Sequence, residues 1–284
     1  MIDSKKGHKL SNLLKAASLS RSTYYFEINK VDIDDKNSDV VQLIKDIFNS
    51  HKGRYGVRRI TVALKDEKIK INHKKVQRIM KKLELKGITP RVKYHSFKGE
   101  VGRIADNIIN RNFDATAPNQ KWTTDVTQFN CPFGKAYLSP ILDMYGTDIV
   151  AYDLSRSPNF DQIIRMLKPA FEKFKDLNGL IFHSDQGWQY QNPRYRKMLE
   201  EKGIIQSMSR RANCIDNCIM ESFFGKLKNE MFYGHENEFQ TFEDLKIAID
   251  KYIDYYNKRR IKERTNWMPP VVFRNKFYEA PSQV

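Results

Sequence analysis

One ten-residue stretch, IFHSDQGWQY at positions 181–190, limits what this chain can build. Leu180, Ile181 and Phe182 form an unbroken apolar run, the pattern of a strand covered on both faces. Asp185 closes that strand, and Gln186-Gly187 turns away from it. A carboxylate at the C-terminal edge of a buried strand must be paired, bound to a metal or open to water. The stretch therefore calls for a sheet with helices on both sides and raises the question of which of these holds the acid at its end.

The neighbouring sequence supplies such a sheet. WTTDVTQF (122–129) alternates, placing Thr123, Asp125, Thr127 and Phe129 on one face of a strand. CPFGK turns, AYLSPILDMY forms a second strand, MYGT turns again and DIVAYDLS is the third, an antiparallel meander. A helix follows with Ser157 as N-cap and Pro158 in its first turn, running to about Lys175 before Asn178-Gly179. After the buried strand come a helix from Asn192-Pro193 to Gly203, a short strand IIQSM, and the helix DNCIMESFFGKLKNEMF (216–232). Phe224, Leu227 and Met231 are expected to be the buried stripe of that helix. The order β-β-β-α-β-α-β-α predicts an α/β fold, a mixed five-stranded sheet with flanking helices.

Charge separates this half from the one before it. Residues 1–112 hold 26 Lys and Arg against 12 Asp and Glu, whereas residues 113–284 hold 24 against 22. Nearly all of the net +16 thus sits in the first half, which is expected to meet a polyanion, most simply nucleic acid. That half reads as all-α: a short helical pair in 11–27, then helices in SDVVQLIKDIFNSH, VRRITVALKDE and HKKVQRIMKKLEL. In the last, Val76, Ile79, Met80 and Leu83 recur at helical spacing, Asn72 stands at the N-cap, and Lys74, Lys75, Arg78, Lys81 and Lys82 take the opposite face. A short helix, a tight connection and a basic helix outline a helix-turn-helix, whose second helix enters the major groove. An amphipathic helix with a merely solvated charged face is the competing reading.

The expected division is a helical segment at 1–28, a polar linker at 29–38, a helix-turn-helix-like region at 39–90, a basic connector at 91–118, a catalytic core at 119–232 and a helical extension at 233–284. In that extension Leu245, Ile249, Tyr252 and Tyr256 should pack on the core, leaving Lys258, Arg259 and Arg260 to hold a phosphate. Three cysteines suit a reducing compartment, and Cys131, Cys214 and Cys218 are expected as free thiols. No apolar run approaches the roughly 20 residues that cross a bilayer. The N-terminus lacks a signal-peptide core, so the expected location is cytoplasmic and no membrane partner is expected.

Two strands carry an acid where a site could form, Asp125 and Asp185. On the helix after IIQSM, Asp216, Glu221 and Glu230 compete to be the third. Glu221 and Glu230 differ by nine positions, half a turn, so both cannot face the sheet, and Lys228 returns to nearly the face of Glu221. Asp143, Asp148 and Asp153 read as surface charges or caps. Converging carboxylates without a His/Cys cluster suit Mg²⁺ or Mn²⁺, and two such ions about 3.5–4 Å apart would serve an in-line phosphoryl displacement. His183 shares the face of Asp185 and reads as a packed, hydrogen-bonded histidine. Gln186, Gly187 and Trp188 shape the adjoining loop, with Trp188 placed to meet DNA.

At this point the residues carry a resemblance. NQKWTTDVTQF, YLSPILDMYGTDIVAYDLS, HSDQGWQYQNPRY, QSMSRRANCIDNCIMESFFGKLKNE and YYNKRRIKERTNWMPPVVFR resemble the transposases encoded by the second open frame of bacterial insertion sequences of family three. These are similar to retroviral integrases in their catalytic domain. HKGRYGVRRI and NHKKVQRIMKKLELKG resemble that family's helix-turn-helix region, so the likeness covers nearly the whole chain. Thirty-five residues lie between Asp185 and Glu221, the spacing of the family's Asp, Asp, Glu signature. The resemblance implies a ribonuclease-H-like fold, metal binding by Asp125, Asp185 and Glu221, and a basic role for Lys228. Ala212, Cys218 and Pro269 depart from the family's usual Gly, Ala and Ser, none at a triad position.

The expected activity is metal-dependent cleavage and strand transfer of double-stranded DNA at an element's ends and target. The protein is expected to act as a homo-oligomer and with an upstream-frame partner as a fusion. A metal nuclease that does not join strands, and a DNA-binding remnant without catalysis, remain as alternatives.

Overall fold

The computed structural model describes residues 10–25, 38–89, 104–210 and 214–279, in two compact units divided after Ile88. The linker expected at 29–38, except Ser38, and the connector as far as residue 103 lie outside the described residues. The first unit is helical: α1 (Leu10–Ala16), α2 (Ser38–Ser50), α3 (Val57–Asp66) and α4 (His73–Lys82). Ile44, Tyr55, Ile60, Leu64, Val76 and Met80 are buried, each burial contributing roughly 1.5–3 kcal/mol. Asn72 caps α4 as its sequence position predicts, its side chain accepting the Lys74 N–H at 2.9 Å. The chain leaving α4 crosses the start of α3 so closely that a Cβ on Gly87 would lie 2.9 Å from the Gly56 backbone.

In the second unit the strands are β1 (Lys121–Thr124), β2 (Thr127–Cys131), β3 (Gly134–Asp143), β4 (Ile149–Ser155), β5 (Ile181–Ser184) and β6 (Ile205–Met208). β3 pairs antiparallel with β4 on one side and with both β1 and β2 on the other, while β1, β5 and β6 run parallel. The six segments fill five strand positions, because β1 and β2 keep one register along β3, from Trp122 opposite Asp143 to Cys131 opposite Gly134. Only Asp125 and Val126 drop out. Extending the register sets Asp125 opposite Pro140. The Met144 N–H donates to the Lys121 carbonyl, so alternation along the ladder makes 125 and 140 another bonding pair. Pro140 has no N–H to give, and the ladder opens there.

Helices cover both faces. α5 (Phe160–Lys173) and α6 (Pro193–Glu200) bury Ile163, Met166, Leu167, Tyr195 and Leu199 against Trp122 and Phe182. On the other face α7 (Cys218–Leu227) and α8 (Phe242–Lys258) bury Phe223, Phe224, Ile249, Tyr252 and Tyr256 against Phe129, Leu138 and Leu142. α9 (Pro270–Glu279) ends the described chain. Among the described residues no helix is long and apolar enough to cross a membrane.

Several local expectations are corrected. Asn159, not Ser157, caps α5, accepting the Gln162 N–H at 3.0 Å, and the helix stops at Lys173. The helix read across 216–232 is three pieces: a 3-10 turn at Cys214–Asn217, α7, and a π turn at Lys228–Phe232. The wider turn advances the register, so Phe232 is buried and Met231 only half so. Asp143 and Asp148 are not surface charges: both are buried against Arg274 of α9, at 2.9 and 3.0 Å. Asp153 forms a two-point pair with Arg165. Nor is Arg260 available to a phosphate, since it is buried in an ion pair with Glu230, while Lys258 pairs with Asp254 at 2.5 Å.

Candidate active site

The two strand acids meet because their strands are parallel neighbours. Thr123 lies opposite His183 in the β1–β5 register, so two residues further Asp125 and Asp185 leave adjacent strand ends on the same face. That face is the one covered by α7. Asp125, 5% exposed, occupies the gap between β1 and β2, where its Oδ1 accepts its neighbour's Val126 N–H at 2.7 Å. Its Oδ2 accepts from the Asn217 amide at 3.3 Å. Burial, then the nearby charge of Asp185, pushes its pKa well up, the Val126 N–H opposes this, and Glu221 raises it further. Asp185 and Glu221 thus both act on Asp125.

Asp185 is half-buried, held by the Gly187 N–H at 2.9 Å, and burial raises its pKa. Glu221, half-buried in the first turn of α7, is also raised by burial. Its two competitors on that segment are spent elsewhere: Asp216 on arginines and Glu230 on Arg260. Lys228 is 7% exposed and donates to the Gln128 carbonyl at 2.8 Å. Burial lowers its pKa to about 8, opposed by Asp125, so it stands beside the acids rather than out toward solvent.

Among the described residues no three His, Cys, Asp or Glu side chains converge tightly enough to enclose a cation. The donor set nonetheless fits a hard divalent ion: it is all oxygen, and crowding and burial disfavour its ionised forms until a cation offsets them. The Val126 and Asn217 bonds take one acceptor site on each Asp125 oxygen and leave another on each for such an ion.

His183 is fully buried with Nδ1 2.9 Å from the Ser207 hydroxyl, and burial lowers its pKa to about 4, as a packed histidine requires. Trp188 is 49% exposed at the rim of the Asp185 loop. Gln186 donates to the Ser209 carbonyl at 2.9 Å, tying that loop to the end of β6. Cys131 and Cys218 are free thiols; Cys214's side chain lies outside what is described. In the helical unit Lys74, Lys75, Arg78, Lys81 and Lys82 all lie on the exposed face of α4.

Sequence reasoning missed Asn217. It sits at the N-cap of α7 yet caps nothing there. Instead its Oδ1 accepts from the Thr123 hydroxyl at 2.8 Å while its amide reaches Asp125, lacing the helix to β1. An Asn before a helix reads as a cap, so its real partners, more than ninety residues away, left no local signal.

The integrase core domain family matches residues 115–214, a second integrase core domain family matches 221–277, and an HTH-like domain family matches 34–93. The chain is 44% identical over 271 residues to the putative transposase InsK for insertion sequence element IS150 of Escherichia coli, covering 95% of each chain. It is 55% identical over 208 residues to an uncharacterized transposase-like protein of Haemophilus influenzae, covering 73% of this chain and 95% of that one. Among solved structures, a chain of the simian T-cell lymphotropic virus intasome in complex with PP2A regulatory subunit B56 gamma aligns with a TM-score of 0.50 and 14% identity. The alignment covers 85% of this chain and 76% of that one, and it shows the fold: a ribonuclease-H-like core preceded by a helical region.

Proposed function

The chain belongs to the insertion-sequence transposases that carry an integrase core domain, and from that premise we propose that Asp125, Asp185 and Glu221 are its catalytic acids. It is a DNA transposase, an enzyme that cuts and rejoins DNA strands. The observation that carries the site assignment is geometric: Asp125 and Asp185 leave adjacent parallel strand ends on one face, and α7, with Glu221 in its first turn, covers that face. Within the family, the finer placement is a second-frame transposase of family three, acting with an upstream-frame partner as a fusion and as a homo-oligomer on DNA.

Asp125, Asp185 and Glu221 would hold Mg²⁺ or Mn²⁺, two ions in our reading. When bound, such ions supply activation of the attacking oxygen and stabilisation of the leaving one. The protein's own part is positioning. Asn217 and the Val126 N–H set the Asp125 carboxylate, the Gly187 N–H sets Asp185, and buried Lys228 balances part of the negative charge. No Tyr or Ser nucleophile is invoked. Lys74, Lys75, Arg78, Lys81 and Lys82 on α4 would contact duplex DNA, with Trp188 touching it near the acids.

The test uses the native element in cells, with its upstream frame and flanks, amplifying across newly abutted ends. A junction from the wild type and none from Glu221→Gln, with DNA binding retained, is the expected result. Junctions at wild-type frequency from Glu221→Gln would overturn the site.

A further inference from the structure

We infer that Arg111 and Arg210 form a fork for one backbone phosphate of DNA, set beside the acids by the buried carboxylate of Asp216. The inference rests on the transposase reading and adds to it a contact point outside the triad and the basic helix. Asp216 is 1% exposed and accepts five N–H bonds. Three come from Arg210: its backbone N–H at 3.0 Å, Nε at 2.9 Å and Nη2 at 3.1 Å. The others come from Arg111 Nε at 3.2 Å and the Asn107 amide at 2.9 Å. With its acceptor sites filled, Asp216 is held well below the usual carboxylate range, chiefly by Arg210, and stays ionised.

The two guanidiniums differ from buried structural arginines. Their side chains are 47% and 50% exposed, and among the described residues nothing bonds Nη1 or Nη2 of Arg111 or Nη1 of Arg210. Two cations share one anion, leaving a surplus positive charge at the surface with donors facing outward. A phosphate oxygen suits such planar, charged donors. The backbone is shaped to present Arg111: Asn110 and Arg111 are both left-handed, at φ 42° and 65°. Strain of that kind persists only where the surroundings enforce it. They do here, for the Ile108 N–H and, more weakly, the Ile109 N–H bond the Ser207 hydroxyl, and the Met208 N–H bonds the Asp106 carbonyl.

The fork is also wired to the chemistry. Asp216 is followed directly by Asn217, whose amide holds Asp125, and Glu221 lies four residues further on. The residue that anchors the fork and the residue that holds Asp125 are thus consecutive in the chain.

The experiment measures binding of the full-length protein to a labelled duplex of the element's end across a salt series, with strand joining measured in parallel. For Arg111→Gln the slope of log affinity against log salt should shrink by about 0.9, one phosphate contact, with affinity down about tenfold. Arg210→Lys should keep the slope but lose affinity, since charge remains while the fork is gone. Urea midpoints report folding. Should Arg210→Lys fail to fold, Arg111→Gln decides alone, because that residue gives Asp216 only one bond. An unchanged slope and affinity in Arg111→Gln, in a wild type that joins strands, would overturn the fork and leave the transposase reading intact. The expected shift in Arg111→Gln, together with strand joining at the wild-type rate by Glu221→Gln, would uphold the fork and sink the catalytic assignment.

Discussion

At the scale of single residues, the sequence shows where the acids stand in the fold and hides what holds them. Asp185 announces itself at the end of an apolar run, and the family resemblance proposes Glu221 on α7 as its partner. The burial of Asp143 and Asp148 is hidden in the sequence because nothing nearby declares Arg274, more than 120 residues away, as their counter-ion. Gly187 belongs to the legible part, since a turn residue is expected there, but its reason is spatial. A Cβ on Gly187 would lie 2.9 Å from Asp185 Oδ1 and closer still to the Gln189 amide. The Gly187 N–H also holds that carboxylate, so Gly187→Ala should displace Asp185 directly. Displacements near 1 Å at a reacting group cost up to roughly a hundredfold in rate. We expect strand joining to fall ten- to a hundredfold, with unfolding free energy changed by no more than about 1 kcal/mol. Wild-type joining by Gly187→Ala would show that the loop tolerates the displacement and that Asp185 is not set by this contact.

At the scale of elements, the strand order and the alternation of helices were readable because periodicity encodes burial, and burial sets both. Boundaries were less readable: a single capping bond moved the start of α5 by two residues, and a π turn at Lys228 shifted the buried stripe by one. The break between β1 and β2 was invisible in WTTDVTQF because its cause sits in the partner strand. Pro140 withholds the ladder bond that the Asp125 carbonyl would accept, and the line of β1 and β2 breaks at that position. Pro140→Val would restore the donor. The expected outcome is a protein as stable as the wild type or up to about 1 kcal/mol more so, the net worth of one hydrogen bond. Strand joining should fall about tenfold as Asp125 is drawn into a regular strand. A variant that joins normally would mean that the gap, though real, is not what poises Asp125.

At the scale of the whole chain, the basic excess is concentrated in the first compact unit, where residues 1–88 hold 21 Lys and Arg against 10 Asp and Glu, while residues 89–284 hold 29 against 24. The core is closed from its C-terminal side by buried ion pairs rather than by apolar packing alone: Arg260 with Glu230, and Arg274 with Asp143 and Asp148. Two buried carboxylates served by one arginine make an imbalance with a measurable pH signature. Burial, and next the charge of Asp148, pushes Asp143 up to about 6 against the pull of Arg274. Its folded pKa therefore lies above the unfolded value near 3.9. The stabilisation from protonating it is complete below the unfolded value and is lost as pH rises toward and through 6. Relative to Asp143→Asn, the wild type should lose on the order of 2 kcal/mol of unfolding free energy between pH 4 and pH 7, read from urea titrations at each pH. Arg274→Met, which removes the cation bonded to both acids, should cost about 3 kcal/mol at pH 7 and less at pH 4. If the wild type and Asp143→Asn keep a constant difference across that range, Asp143 is already ionised in the folded core, and Arg274 compensates both acids fully.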